Sequence, residues 1–134
     1  MSDRAAPFRE AVERGDHAAI LATMAPDVVF RSPVRFHPYV GREAVSRVFR
    51  ILLDTVDHYE LTDELESDEQ VGLVFKSLFD DRDVEGIHLL RFDEQGLIRE
   101  YTEMARPMSG VAAMFEVLAP KIRAAEEAAS AVAP

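Results

Sequence analysis

At Val56 the hydrophobic pattern of this chain changes period, and the change limits the folds open to it. Upstream, apolar residues recur every three to four positions, the spacing that puts them on one side of a helix. Phe8, Ala11 and Val12 do so first, and Gly15 follows as the residue that closes a helix. Asp16 is placed to cap a second helix with Ile20, Leu21 and Met24 on one face, ended by Pro26. Val28, Val29 and Phe30 read as a short strand, followed by a loop holding Pro33 and Pro38. A third helix is expected over about 42–56, where Ala44, Val45, Val48, Phe49, Leu52, Leu53 and Val56 form a broad apolar stripe.

Downstream the period is two. Tyr59, Leu61, Asp63 and Leu65 share one face of a strand, and Val71, Leu73, Phe75, Ser77 and Phe79 one face of the next. Polar turns at Asp80-Asp81-Arg82-Asp83 and Asp93-Glu94-Gln95-Gly96 then frame strands over 84–92 and 97–105. Ser109 is placed to cap a closing helix with Val111, Met114, Phe115, Leu118 and Ile122, which Pro120 kinks. Helices, then a meander of antiparallel strands, then a helix make an α+β chain with helices on one face of a sheet. The 134 residues, 48% of them apolar, suit a single domain over 1–134. Its core is expected over about 6–120, with 124–134 a frayed tail.

Charge and composition exclude several roles. The chain has no Cys, so disulfides, thiolate metal sites and cysteine nucleophiles are absent. Its net charge of −10 argues against nucleic acid and anionic membrane, which need a cationic face. Eight acids and no Lys or Arg fall within 54–69, but the Gly and terminal Glu of a calcium loop are not at their spacings, so a solvated strand face and turn is expected. No apolar run approaches the roughly 20 residues of a membrane span, and the N-terminus lacks a secretory pattern. The expected address is the cytoplasm. The four histidines form no ligand spacing such as HxxxH, and no Gly-rich phosphate loop occurs. Neither a metal nor another cofactor is therefore expected.

Several local motifs then come in a familiar order. Gly15-Asp16 precedes an apolar helix, and Ala25-Pro26-Asp27-Val28-Val29-Phe30 leads into the strand. Ser32-Pro33 follows, Gly41-Arg42-Glu43-Ala44-Val45 opens the third helix, and Phe92-Asp93-Glu94-Gln95-Gly96-Leu97-Ile98 forms the last hairpin. In this order the chain resembles the nuclear transport factor 2-like superfamily, particularly its SnoaL-like branch, over roughly 6–120. The resemblance implies a conical roll, in which a curved antiparallel sheet wraps around N-terminal helices and opens onto an apolar pocket. It also implies pairing of subunits through the sheet. The alternate strand faces, with Ile87, Leu89, Ile98, Thr102 and Met104, carry apolar residues such a homodimer would cover.

The resemblance further implies which side chains face the pocket: Val71, Leu73, Phe75 and Ser77, then Val84, Gly86 and His88, then Leu97, Arg99, Tyr101 and Glu103. Phe30 and Ser32 point in from the short strand, with Phe8 and Phe49 deeper. His37 and Tyr39 lie in the rim loop, where His37 is placed either to gate entry or simply to face solvent. The ketosteroid isomerases of this superfamily use a tyrosine and an aspartic acid as donors and an aspartate as base. Those positions are Phe8, His88 and Ser32 here, so steroid isomerisation is not expected. His88 and Glu103 are the candidate catalytic pair, His88 as acid–base group and Glu103 as its orienter. Phe8, Phe30, Ser32, His37, Tyr39, Phe49, Leu73, Phe75 and Tyr101 are the candidate ligand contacts. An imidazole suits proton shuttling at neutral pH. Equally, His88 and its neighbours can simply satisfy one another's hydrogen bonds in the core. Three functions stay open, the first two being a protein that takes a small apolar molecule, as a cofactor-free isomerase or cyclase, and a non-catalytic binding or dimeric scaffold protein of the same fold. A protein-interaction module is the third.

Overall fold

The computed structural model describes residues 3–132. Helix α1 (Ala6–Arg14) ends on Gly15, whose φ of 63° is the left-handed value glycine adopts at least cost. Helix α2 (His17–Ala22) begins under the Asp16 carboxylate, which accepts from the Ala19 N–H. The chain then enters β1 (Met24–Arg31) earlier than the pattern suggested. Met24 and Pro26 both belong to this strand, not to the helix and its end. Strand β2 (Tyr39–Val40) and helix α3 (Arg42–Thr55) follow. The meander is β3 (His58–Glu66), β4 (Gln70–Phe79), β5 (Arg82–Phe92) and β6 (Ile98–Arg106). Helix α4 (Met108–Val132) closes the chain. Ser109 lies inside its first turn and does not precede it, and the helix continues to Val132, within the segment expected to fray. Among the described residues no helix is long and apolar enough to cross a membrane.

The architecture is α+β: one curved, open six-stranded sheet in the order β2-β1-β6-β5-β4-β3, with the helices packed on it. All neighbours are antiparallel except β1 and β6, which run parallel, because the helical segment and meander between them return the chain in the same direction. A two-residue turn joins β4 to β5, with Asp80 and Asp81 at φ 50° and 61°. Positive φ at both central residues is the turn that matches strand twist, and Asp tolerates it better than most residues.

Two bulges overrule simple alternation. In β3 the pairing steps from Leu61↔Phe75 to Asp63↔Val74, leaving Thr62 extra. Tyr59 and Leu61 therefore face inward, but beyond the bulge Glu64 takes the inward position and Leu65 is 61% exposed. Between β5 and β6 the step from Arg91↔Glu100 to Phe92↔Ile98 leaves Arg99 extra. Ile98 is consequently fully buried and Arg99 exposed, the reverse of the inward Leu97 and Arg99 and outward Ile98 that the resemblance implies.

The first bulge also changes the role of the acidic stretch. Glu64 accepts from Arg9 Nη1 at 2.6 Å and Glu66 from Arg4 Nη2 at 2.9 Å, so this end of β3 holds α1 in place over the sheet. The acids there are partly buried ion-pair partners of Arg9 on α1 and of Arg4 just before it, as well as a solvated edge.

Candidate functional site

The concave face of the sheet and helices α1–α3 enclose a cavity of about 80 Å³. Phe8 and Val12 come from α1, Ile20 from α2, and Phe49, Leu52 and Leu53 from α3, each on the apolar stripe of its helix. The sheet contributes Tyr59, Phe75, Ser77, Phe79, His88, Tyr101 and Glu103, all at inward positions of their strands. Ser77 is not a free polar group there, because its hydroxyl donates to the Val84 carbonyl at 2.7 Å.

The remaining polar groups meet at one corner. Register places His88 on β5 directly between Leu73 on β4 and Glu103 on β6. His88 is 2% exposed. Its Nε2 lies 2.5 Å from the Tyr59 hydroxyl, and its Nδ1 lies 2.9 Å from the Tyr101 hydroxyl and 3.3 Å from Glu103 Oε1. The imidazole stacks on the Phe75 ring, 4.3 Å between centroids and 7° from parallel. Phe75 and the three polar contacts thus fix the ring's plane and both of its edges. Burial pushes both phenols well above their ordinary pKa of 10.0, with the negative Glu103 adding to the effect. For Tyr101, the neighbouring Tyr59 adds to it as well. Both hydroxyls consequently keep their protons through neutral pH, and the corner can move or donate protons where the rest of the wall is hydrocarbon.

Of the candidate residues, the structure gathers Phe8, Phe49, Phe75, His88, Tyr101 and Glu103 around this cavity. It does not bring in the other five. Phe30 sits behind the wall, edge-on to Phe49 and Tyr101 at 5.0 Å each, and supports the rings that line it. Leu73 is buried in the surrounding core. Ser32 lies beyond the end of β1, where its Oγ accepts from the Val34 N–H. His37 is exposed in the loop. Tyr39 stacks on the far side of Phe30 and carries Arg35 over its own ring, facing α4 and not the cavity.

Tyr59 is the participant the sequence reading missed. Its position on the apolar face with Leu61 was legible. The inward reach of its hydroxyl to His88 depends on β3 curling over β4, which the one-dimensional pattern does not carry. Among the described residues, no group of three or more His, Asp or Glu is arranged to hold a metal ion.

This sheet and its helical roof recur in known proteins. The family model described as a SnoaL-like domain matches residues 5–101. The chain belongs to the SnoaL-like domain family. A steroid delta-isomerase from Pseudomonas aeruginosa is similar to this SnoaL-like protein at 30% identity and a TM-score of 0.83, over 92% of this chain and 94% of that one. A cystatin-like-fold protein from Silicibacter pomeroyi has 25% identity and a TM-score of 0.84, over 90% and 86%. A ketosteroid isomerase-like-fold protein from Catenulispora acidiphila, in complex with trimethylamine, shares the fold alone: 16% identity and a TM-score of 0.65, over 83% and 90%. No curated protein matches the SnoaL-like chain in sequence.

Proposed function

We propose that this SnoaL-like protein binds a small, largely apolar molecule in the cavity and transfers a proton to or from it without a cofactor. The observation that carries this reading is the convergence of Tyr59, His88, Tyr101 and Glu103 on one corner of an otherwise hydrocarbon chamber. An apolar pocket with a few converging polar groups is the usual form of a small-molecule site. Glu103 and His88 form the acid–base unit, sharing a proton along the Nδ1 edge, while Tyr59 holds the Nε2 edge. His88 has no ring nitrogen free for a ligand, so exchange with the cavity passes through Glu103 or a phenol.

The similarity to a steroid delta-isomerase supports proton transfer as the reaction type. The four-ring substrate class does not follow with it. The cavity is well below the roughly 300–1,000 Å³ of ordinary ligand pockets. Phe8 has no proton to donate, and Ser32 stands outside. A ligand of one small ring is the better fit.

The test is proton exchange in deuterated water. Wild-type protein should accelerate deuterium incorporation next to the carbonyl of a small cyclic ketone, and Glu103→Gln and His88→Gln should each remove the acceleration. A second reading, binding without catalysis, is favoured by one feature: both nitrogens of His88 are already satisfied. Binding with no exchange in the wild type decides for it.

We propose also that the partner is a second copy, paired through the convex face. There, half-buried Val74, Ile87, Leu89 and Thr102 and the exposed Met104 lie side by side between charged rows. Light scattering that gives a monomer at high micromolar concentration rejects this pairing.

A further inference from the structure

The hydrogen bonds within the polar corner do not use every donor it holds. A neutral imidazole has one N–H and one acceptor nitrogen. His88 therefore accepts a proton from only one of the two phenols that touch it. The Glu103 carboxylate decides which. Its Oε1 stands 3.3 Å from Nδ1, and a carboxylate only accepts. A lone pair on Nδ1 would sit beside the lone pairs of the carboxylate, so the hydrogen sits on Nδ1 and is donated to the Tyr101 oxygen. Nε2 is then the acceptor, and the Tyr59 hydroxyl donates to it. Tyr101 receives from Nδ1 and keeps its own hydrogen unspent. Its ring is packed edge-on by Phe8, Phe30 and Phe49, which supply no acceptor.

We infer that Tyr101 is the hydrogen-bond donor this cavity offers its ligand, and that the cavity selects small neutral molecules carrying an acceptor oxygen over hydrocarbons of the same shape. The inference rests on the chamber being a ligand site and adds its chemical preference. It gives Tyr59 a different task. Tyr59 is a positioning residue that holds the imidazole through Nε2, while Glu103 sets the tautomer. Phe8, at the position where the resemblance places a donating tyrosine, supplies only an apolar wall.

The experiment compares cyclopentanone with methylenecyclopentane, which differ only in C=O against C=CH₂. Binding of each is followed by titration of the methyl resonances of Val12, Ile20 and Leu53. The ketone should bind about three- to ten-fold more tightly, the range of one neutral hydrogen bond. Tyr101→Phe should abolish that preference while leaving the hydrocarbon's affinity in place, and Tyr59→Phe should retain it. In the unmodified protein, the carbonyl carbon resonance of bound cyclopentanone should move downfield, which reads the donated bond even if Tyr101→Phe folds poorly. Equal affinities and an unmoved carbonyl resonance overturn the inference, with the chamber left standing. A preference lost in Tyr59→Phe and kept in Tyr101→Phe reverses the tautomer and also overturns it. Binding of neither probe removes the ligand chamber itself, and this assignment with it.

Discussion

The two faces of the sheet formed by β3–β6 are built from similar side chains and put to different use. On the concave face Val71, Leu73, Phe75, Val84, Leu90 and Tyr101 are buried under helices, and one histidine is enclosed among them. On the convex face, Val74, Ile87, Leu89 and Thr102 in the rows Val74–Ile87–Met104 and Gly72–Leu89–Thr102 are only half-buried and Met104 is exposed. They are bordered by charged rows, Lys76–Glu85–Arg106 on one side and Gln70–Arg91–Glu100 on the other. Arg106 pairs with Glu85, and Arg91, Arg31 and Arg99 gather on Glu100. The difference shows that apolar content alone does not make a core. A face becomes core when helices close over it, and a rim of ion pairs marks the face that solvent or another subunit meets.

This contrast breaks most severely at Gly86. A Cβ there would lie 1.9 Å from the Met104 carbonyl oxygen, a backbone atom that cannot turn aside. Gly86→Val should cost at least about 4 kcal/mol, read as loss of soluble folded protein or of a cooperative urea transition. Next comes Phe75→Ala, which removes a buried ring and the platform under His88. The expected loss is about 3–5 kcal/mol in urea denaturation.

The concave face should also give the protein an alkaline limit. Tyr59 and Tyr101 hold their protons in the folded state to a pH well above the 10.0 at which an unfolded tyrosine releases its own. Their contribution is therefore complete below about pH 10 and declines as pH rises beyond it, because the unfolded chain gives up protons the native state retains. The urea midpoint should fall over that range, and Tyr59→Phe or Tyr101→Phe should flatten the fall. A midpoint that holds steady to pH 11 in the wild type contradicts the burial of these phenols.

Convex substitutions should act weakly on folding and strongly on association. Leu89→Glu should change monomer stability by about 1 kcal/mol or less, and under the proposed convex pairing it should shift light scattering toward monomer. Glu100→Gln should have the smallest effect, under about 1 kcal/mol, since its ion pairs are partly exposed and screened. A larger loss from Glu100→Gln than from Phe75→Ala would mean that the two faces have been assigned the wrong way round.

The sequence by itself determined the order of elements, the helix ends at Gly15 and Asp16, and the inward set on β4, because these follow from local backbone preference and strict alternation. The family resemblance carried by its motifs also placed His88 and Glu103 as candidate partners. The tertiary structure decided what depends on register and curvature. The Thr62 and Arg99 bulges are one-residue slips that leave composition unchanged but reverse the faces beyond them. They turned Glu64 toward Arg9, buried Ile98 and exposed Arg99. Curvature brought Tyr59 from the edge strand to His88 and left Ser32, His37 and Tyr39 outside the chamber. Alternation tells a side chain which side of a strand it occupies. How far that side lies from another strand is set by the twist and bending of the whole sheet, which no local pattern records.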